Sequence, residues 1–322
     1  TLETTKNAKA VVRWLKDSGR TESQINNALF AVTANVPAAK EFGVKPENIY
    51  PFWDWVGGRY SVWSAVGLPI ALQYGFETFK EFLAGAQAID HHYQSAPLEE
   101  NLPVIMALSL LYQQEKHNIK SFAVIPYADA LDWFPKWLQQ LDMESNGKSV
   151  GRDGKPVKYS CPVVFGSSGS NAQHSYFQLL HQGKEVIPID FIAIREPMST
   201  LPEAKEHHRI LLSNCLAQAQ ALANGKQTDN PNNTYPGKRP SNLLILPKLN
   251  AFYLGALLAL YENRTTTLGA LWNINSFDQP GVELGKVLAK PIETALKNGG
   301  VVNQDDNIDA TTANRINLFN QK

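Results

Sequence analysis

Apolar residues recur along the chain either at helical spacing or in short continuous runs. These two patterns predict a series of helices and short strands. Helical spacing in the first half predicts helices at residues 4–17, 21–34, 59–74, 78–93 and 104–113. Short apolar runs in the second half predict strands at residues 122–126, 162–165, 186–194, 243–246 and 268–274. Helices are predicted between and after them at residues 130–141, 171–182, 207–223 and 252–262, with a short one at 312–319. A further helix carries Lys286, and the helical spacing of Leu284, Val287, Leu288, Ile292 and Leu296 predicts that one face of it is buried. The polar segment 145–159 is expected to be a loop or a hairpin, and the polar segment 226–240 a loop.

The alternation of strands and helices after residue 101 predicts a largely parallel sheet covered by helices on both faces. Sheets of this kind bind ligands beyond the carboxyl ends of their strands. The loop at residues 166–173 and the turn at residues 278–281 each follow a predicted strand. We therefore expect both segments to reach the same edge of the sheet.

Length and composition narrow the class of protein. A chain of 322 residues with 43% hydrophobic residues suggests one large domain or two ordinary domains with a substantial core. Lys+Arg and Asp+Glu both number 30, so the net charge gives no general attraction to nucleic acid or to an anionic membrane. The longest apolar runs are too short to span a bilayer. Cys161 and Cys215 could form one disulfide, but we favour two buried free thiols in a reducing cytosol.

Several polar residues have both a catalytic and a purely structural interpretation. His174 falls in the first turn of its predicted helix, after a glycine-rich loop of the kind that favours anions. Gln140 and Glu144 are four residues apart and share a helix face. Lys286 opposes the positive end of its helix dipole, although exposed helical lysines are common. The spacing of His, Cys and acidic residues matches no common metal site.

Four long segments carry a resemblance to a known family. They are VGGRYSVWSAVG at residues 56–67, QLDMESNGK at 140–148, GSSGSNAQHSYFQLLHQG at 166–183 and GALWNINSFDQPGVELGK at 269–286. In this order they resemble the phosphoglucose isomerase family, and the chain resembles the C-terminal three-fifths of that family's sequences. The resemblance implies a three-layer α/β/α sandwich with a mainly parallel sheet, built from sugar-isomerase (SIS) domains. It implies part of a first SIS domain at residues 1–95, a second at 96–298 and a tail at 299–322.

The resemblance also implies roles for individual residues. Glu144 occupies the position of the catalytic base, and Arg59 that of the cation which stabilises the enediol intermediate. His174 and Lys286 match the residues that open the sugar ring. Residues that match substrate-binding positions are Gln140, Gln279, Thr1, Thr4 and Gly58. Ser167, Ser170 and Ala172 depart from the family's usual residues, so a slightly altered loop is expected there.

The resemblance implies interconversion of glucose 6-phosphate and fructose 6-phosphate in the cytoplasm, without a metal or an organic cofactor. It implies a homodimer in which His174 completes the site of the neighbouring subunit, with no nucleic-acid or membrane partner. The family's Ser-Lys-Thr phosphate loop would precede Thr1, so an N-terminal segment of the same protein is an expected partner. A non-catalytic SIS module that binds a sugar phosphate, and an isomerase for another aldose phosphate, stay open as alternatives.

Overall fold

The computed structural model of the chain describes residues 2–302 and 307–321 and forms two compact units, one ending at Ile274 and the other starting at Asn275. The α-helices of the first unit are α1 (Leu2–Asp17), α2 (Glu22–Ala28), α3 (Val36–Glu41), α4 (Leu68–Tyr74), α5 (Phe76–Ser95), α6 (Leu102–His117), α7 (Phe134–Gln139), α8 (Gly169–Gln173), α9 (Phe177–Gln182), α10 (Ala204–Asn224) and α11 (Ala251–Leu271). The strands are β1 (Ala31–Thr33), β2 (Ile49–Pro51), β3 (Ser121–Pro126), β4 (Val163–Phe165), β5 (Ile189–Ile194) and β6 (Ser241–Leu246). The second unit contains α12 (Glu283–Lys297) and α13 (Ala310–Asn320).

The main sheet has the strand order β4-β3-β5-β6, and each neighbouring pair is parallel. The strand β5 is buried along its whole length, as expected for a parallel strand covered on both faces. Phe122 and Val124 pack on one face with residues of α6, α7 and α11. Ala123 and Ile125 pack on the other face with residues of α9 and α10. The predicted three-layer α/β/α class is thereby confirmed. A separate small parallel pair, β1-β2, lies in the N-terminal part.

Helices α5 and α11 approach each other closely because a glycine stands at each side of the contact. A Cβ at Gly85 would overlap the carbonyl oxygen of Phe252, and a Cβ at Gly255 would overlap that of Phe82. Only glycine allows the two backbones to meet in this way. The contact fixes α11 against the N-terminal part of the chain.

The strand predicted at residues 268–274 is wrong, because residues 268–271 continue α11. In that helix the hydroxyls of Thr265, Thr266 and Thr267 each lie within 3.0 Å of the carbonyl oxygen four residues earlier. The turn at residues 278–281 therefore does not follow a strand, so the reason for expecting it at the sheet edge is wrong.

Other helices are shorter or more broken than their apolar spacing predicts. The predicted helix 21–34 ends at Ala28, and β1 begins three residues later. The predicted helix 59–74 divides into 3₁₀ turns at Gly58–Tyr60 and Ala65–Gly67 followed by α4. Further 3₁₀ turns occur at Pro46–Asn48, Asp129–Leu131, Pro231–Asn233 and Pro280–Val282. Residues 130–141 form α7 with a preceding 3₁₀ turn and a following π-turn, and α8 and α9 divide the predicted helix 171–182.

The predicted helix 252–262 is longer than expected, because α11 continues to Leu271. The other helices and strands are close to their predicted positions, including α12 with its proline at 291. The apolar face predicted to be buried on α12 is nevertheless largely exposed, with Leu284 at 66% and Val287 at 63%. Cys161 and Cys215 are both free, and Cys215 is buried. Within residues 2–302 and 307–321, every helix is too short or too polar to cross a bilayer.

Candidate active site

The candidate site is built around an ion pair between residues that are 85 positions apart in the chain. The Nη1 of Arg59 lies 3.2 Å from Oε1 of Glu144. The guanidinium is almost fully buried, whereas the Glu144 side chain keeps 24% of its exposure. A buried arginine needs a partner, because an unpaired charge away from water costs several kcal/mol (on the order of 3–5). The contact therefore fixes Arg59 and leaves Glu144 within reach of a ligand.

Local chain geometry presents both residues. Arg59 is in the 3₁₀ turn Gly58–Tyr60, which is closed by Ser61, whose hydroxyl donates to the carbonyl oxygen of Gly58 at 2.7 Å. Glu144 ends the π-turn Gln140–Glu144, which continues directly from α7. Single π-turns are rare and often occur at functional sites, because the wider turn redirects side chains. Sequence periodicity could not reveal this turn, since an ordinary helix has nearly the same apolar spacing.

Neighbouring polar groups hold the pair in place. The Nε of Arg59 donates to Oγ of Ser145 at 2.7 Å, and the hydroxyl of Tyr60 lies 3.0 Å from the same oxygen. The amide Nε2 of Gln140 donates to Oε2 of Glu144 at 3.0 Å. Glu144 thus receives one donor on each carboxylate oxygen. The predicted sharing of a helix face by Gln140 and Glu144 is confirmed as a direct contact.

A buried polar cluster lies on the inner side of the same segment. Asp142 is 2% exposed and accepts hydrogen bonds from Nη2 of Arg264 and from the hydroxyl of Thr265. The amide Nδ2 of Asn146 donates to the carbonyl oxygen of Thr265 at 2.8 Å. Burial raises the pKa of the nearby Asp190, whose carboxylate accepts from Tyr261 at 2.8 Å. Sequence reasoning missed this cluster.

A second contact of α11 reaches the segment that carries Arg59. The indole Nε1 of Trp63 donates to both carboxylate oxygens of Glu262, at 2.8 and 3.0 Å. Burial, and to a lesser extent the charge of Asp90, raise the pKa of Glu262 to about 8, while the Trp63 hydrogen bond opposes the increase. Glu262 was also missed, because a glutamate within a helix gives no sign in the sequence that it is half-buried.

His174 lies at the end of the loop that follows β4. It is exposed and immediately follows the short helix α8, so its predicted position in the first turn of a longer helix is wrong. The loop itself is ordered by a hydrogen bond from the backbone N–H of Ser168 to Oδ1 of Asp132, at 2.8 Å. As predicted, the loop leaves the carboxyl end of a strand of the sheet.

Lys286, Gln279, Thr4 and Thr1 belong to other parts of the chain than the segments that carry Arg59 and Glu144. Gln279 and Lys286 belong to the second unit. Lys286 is in the first turn of α12, and its Nζ lies 2.7 Å from Oε1 of Glu283. That ion pair offsets the unfavourable helix dipole and provides a structural reason for the lysine. Thr4 is exposed on α1, whereas Thr1 is outside the described residues.

Comparison with known proteins decides the family. A profile of the phosphoglucose isomerase family matches residues 1–316. The chain belongs to the phosphoglucose isomerase family. It is 46% identical to a glucose-6-phosphate isomerase of Cupriavidus metallidurans over 97% of this chain and 59% of that relative. It is 48% identical to a glucose-6-phosphate isomerase of Polaromonas naphthalenivorans over 95% of this chain and 57% of the relative.

Solved structures agree with this assignment. A crystal structure of a glucose-6-phosphate isomerase from Chlamydia trachomatis superposes with a TM-score of 0.85 at 35% identity, covering 99% of this chain and 60% of that one. A hypothetical protein from Thermus thermophilus matches with a TM-score of 0.73 at 27% identity, over 90% of this chain and 68% of the other. The chain thus spans a little under three-fifths of the length of the curated phosphoglucose isomerase relatives it matches.

Proposed function

We propose that the protein containing this chain interconverts glucose 6-phosphate and fructose 6-phosphate through a cis-enediol intermediate. The observation that carries the proposal is the contact between buried Arg59 and partly exposed Glu144. Membership of the phosphoglucose isomerase family supports it, as does the similarity to glucose-6-phosphate isomerases of other organisms. The roles of individual residues are part of the same proposal.

Glu144 acts as the base. Its carboxylate removes the proton from C2 of the open-chain aldose and returns it to C1, so one group serves both half-reactions. A second proton passes from the hydroxyl on C2 to the oxygen on C1 through the enediol, so the aldehyde becomes a hydroxyl and C2 becomes the carbonyl. A carboxylate oxygen offers two lone pairs. The single donors on Oε1 and Oε2 therefore leave a lone pair free for the substrate proton. Gln140 is exposed, which allows its amide to contact the sugar as well as Glu144.

Arg59 stabilises the negative charge that develops on the substrate oxygen as the enediol forms. A fixed cation in a site with little water stabilises such charge more strongly than a solvated one, because it needs no reorganisation. The burial of Arg59 and its hydrogen bond to Ser145 provide this rigidity. His174 and Lys286 open the sugar ring before proton transfer, and Gln279 orients the sugar.

Residues outside the described active-site contacts complete the proposal. Thr1 and Thr4 bind substrate next to the phosphate, and Gly58 also binds substrate. The basic phosphate loop comes from an N-terminal segment of the same protein. His174 serves the neighbouring subunit of a homodimer, a role that its exposure at the end of α8 supports. The division into SIS domains at residues 1–95 and 96–298 with a tail at 299–322, and the cytoplasmic location, belong to the same proposal. Free Cys161 and Cys215 favour a reducing compartment.

The test is a coupled isomerase assay on the native full-length protein with several sugar phosphates, comparing wild type with E144Q. The near-isosteric change should preserve folding and lower turnover by ~10²–10⁴-fold. Exchange of the C2 hydrogen with solvent should fall in parallel. The exposed Glu81 supplies the control variant E81Q, which should behave as wild type. Full exchange in E144Q would refute the role of Glu144, and binding without turnover in the wild type would favour the non-catalytic alternative.

The partner proposals need a separate measurement. We expect residues 1–322 expressed alone to lack isomerase turnover, because the phosphate-binding lysine is supplied by the N-terminal segment. The mass of the native protein in solution should be that of a dimer. A stable and active monomer of residues 1–322 would overturn both partner proposals.

A further inference from the structure

The segments that carry Arg59 and Glu144 are far apart in the sequence, yet both contact one turn of α11. This turn comprises residues 262–265 and is called the brace. Arg264 and Thr265 within it are fully buried. The helix is itself fixed against α5 by the glycine contact at Gly85 and Gly255. The brace is therefore a rigid element to which both active-site segments are attached.

The first attachment holds the Arg59 segment. Trp63 is four residues after Arg59, and its indole N–H is shared between the two carboxylate oxygens of Glu262. The Trp63 ring stacks on Phe82, with centroids 4.7 Å apart and planes 18° from parallel. The hydrogen bond and the stacking together fix the orientation of the indole. They consequently fix the short turn that presents Arg59.

The second attachment holds the Glu144 segment from both sides. Asp142, two residues before Glu144, accepts from Arg264 and from the hydroxyl of Thr265. Asn146, two residues after Glu144, donates to the carbonyl oxygen of Thr265 at 2.8 Å. Asp142 and Asn146 are at most 2% exposed, so these contacts are shielded from competition by water. Glu144 thus projects from a segment that is clamped on either side of it.

We propose that Glu262, Arg264 and Thr265 are positioning residues that set the placement of Arg59 relative to Glu144. This inference rests on the proposed isomerase function, because it assigns these residues a role in that reaction. They act through Trp63 and Asp142 and are not themselves catalytic. Proton transfer demands near-attack geometry, and a misplacement of about 1 Å can cost ~10²-fold in rate. Loosening one attachment should therefore lower turnover while leaving substrate affinity nearly unchanged.

The chain offers a closely matched pair of threonines for the test. The hydroxyl of Thr265 bonds Asp142, and that of Thr267, one half-turn later, lies 2.9 Å from the hydroxyl of Tyr93 on α5. Each threonine hydroxyl also lies close to the carbonyl oxygen four residues earlier, at 2.7 Å for Thr265 and 2.8 Å for Thr267. The same change, T265V or T267V, thus removes a hydroxyl from one helix with a similar local cost. Only T265V releases an active-site segment.

We expect T265V in the native full-length protein to lower kcat by ~10-fold to 10²-fold, with KM and competitive inhibition by a sugar phosphate little changed. Substrate deuterated at C2 should show a larger isotope effect on kcat in T265V, because proton transfer becomes more rate-limiting. T265S, which keeps the hydroxyl, should restore kcat and the isotope effect to their wild-type values. T267V should keep the wild-type kcat and isotope effect, and urea unfolding of both variants measures the stability that each change costs. Equal kcat values in T265V and T267V would overturn the inference.

A second arm uses the Trp63 attachment, in case T265V fails to fold. W63F keeps the ring that stacks on Phe82 and removes the indole donor, so kcat should fall. E262Q keeps an acceptor for that donor and should leave kcat near wild type. The exposed Trp133 supplies the control W133F, which should be unaffected. A wild-type kcat in W63F would overturn this inference and leave the proposed function intact. Absence of isomerase turnover in the wild-type protein would instead refute the proposed function, and this inference with it.

Discussion

The raised pKa of Glu262 leads to a specific prediction about stability and pH. Its carboxyl group has an ordinary pKa of 4.5 and a pKa of about 8 in the folded chain. Between these values the folded state holds the proton and the unfolded state does not. The stabilising contribution is therefore complete below about pH 4.5 and is lost as pH rises to about 8. Stability should fall with increasing pH across this interval, and the E262Q variant should remove that fall because its amide does not ionise.

The magnitude follows from the two pKa values. Each pH unit in the interval costs about 1.4 kcal/mol in the free energy of unfolding, so the change from 4.5 to about 8 corresponds to at most about 5 kcal/mol. The total is an upper limit, because opening of the Trp63 contact would rehydrate the carboxylate. Charged or ionisable groups nearby are Asp90, which favours the protonated form, and Tyr60, whose own pKa is raised by burial. Both groups are present in wild type and in E262Q, and the charge of Glu262 itself contributes to the raised pKa of Tyr60.

The assay is urea unfolding of wild type, E262Q and the exposed control E81Q at several values between about pH 5.5 and pH 8.5, followed by circular dichroism. The difference in free energy of unfolding between E262Q and wild type should shift steadily in favour of E262Q as pH rises. E81Q should run parallel to wild type throughout. A constant difference between E262Q and wild type across the interval would show that Glu262 ionises normally, and the argument from burial would be wrong.

Three further predictions follow from the site and the packing. H174A should reduce turnover of cyclic substrate more than turnover of open-chain substrate if His174 opens the ring, whereas equal losses would indicate a structural role. Activity should survive EDTA, because no group of His, Cys or acidic residues within the described part of the chain could hold a metal ion; loss with EDTA and recovery with Zn²⁺ or Mg²⁺ would contradict this. G255A should lower the free energy of unfolding by about 1–3 kcal/mol or more, since its methyl would overlap the Phe82 carbonyl. The helical control G285A meets no atom within 4 Å and should be neutral or slightly stabilising.

Local patterns along the sequence were sufficient for most of the sheet. The apolar runs at β3 and β5 predicted buried parallel strands, because strands covered on both faces need apolar side chains at nearly every position. The spacing of Gln140 and Glu144 likewise predicted their contact, because helical residues four apart are neighbours in any context. The resemblance of four segments was enough to indicate the family, because each is long and their order along the chain is the same.

Local patterns failed where packing overrides periodicity. The helix α11 is apolar on several sides because it is buried between α5, α6 and the sheet, so its last turns resembled a strand. The end of α8 before His174 and the π-turn that ends at Glu144 are likewise set by packing against neighbouring segments, which apolar spacing does not encode.

Only the tertiary structure shows which buried residues hold the segments that carry Arg59 and Glu144. Asp142, Glu262 and Arg264 look like ordinary surface charges in the sequence, since charged residues are rarely buried without a partner. Their burial follows from contacts between residues more than 100 positions apart, such as Asp142 with Arg264 and Trp63 with Glu262. The sequence determined which groups can perform the chemistry, because that depends on residue type. The fold decided which groups are desolvated and held together, because desolvation depends on everything packed around them.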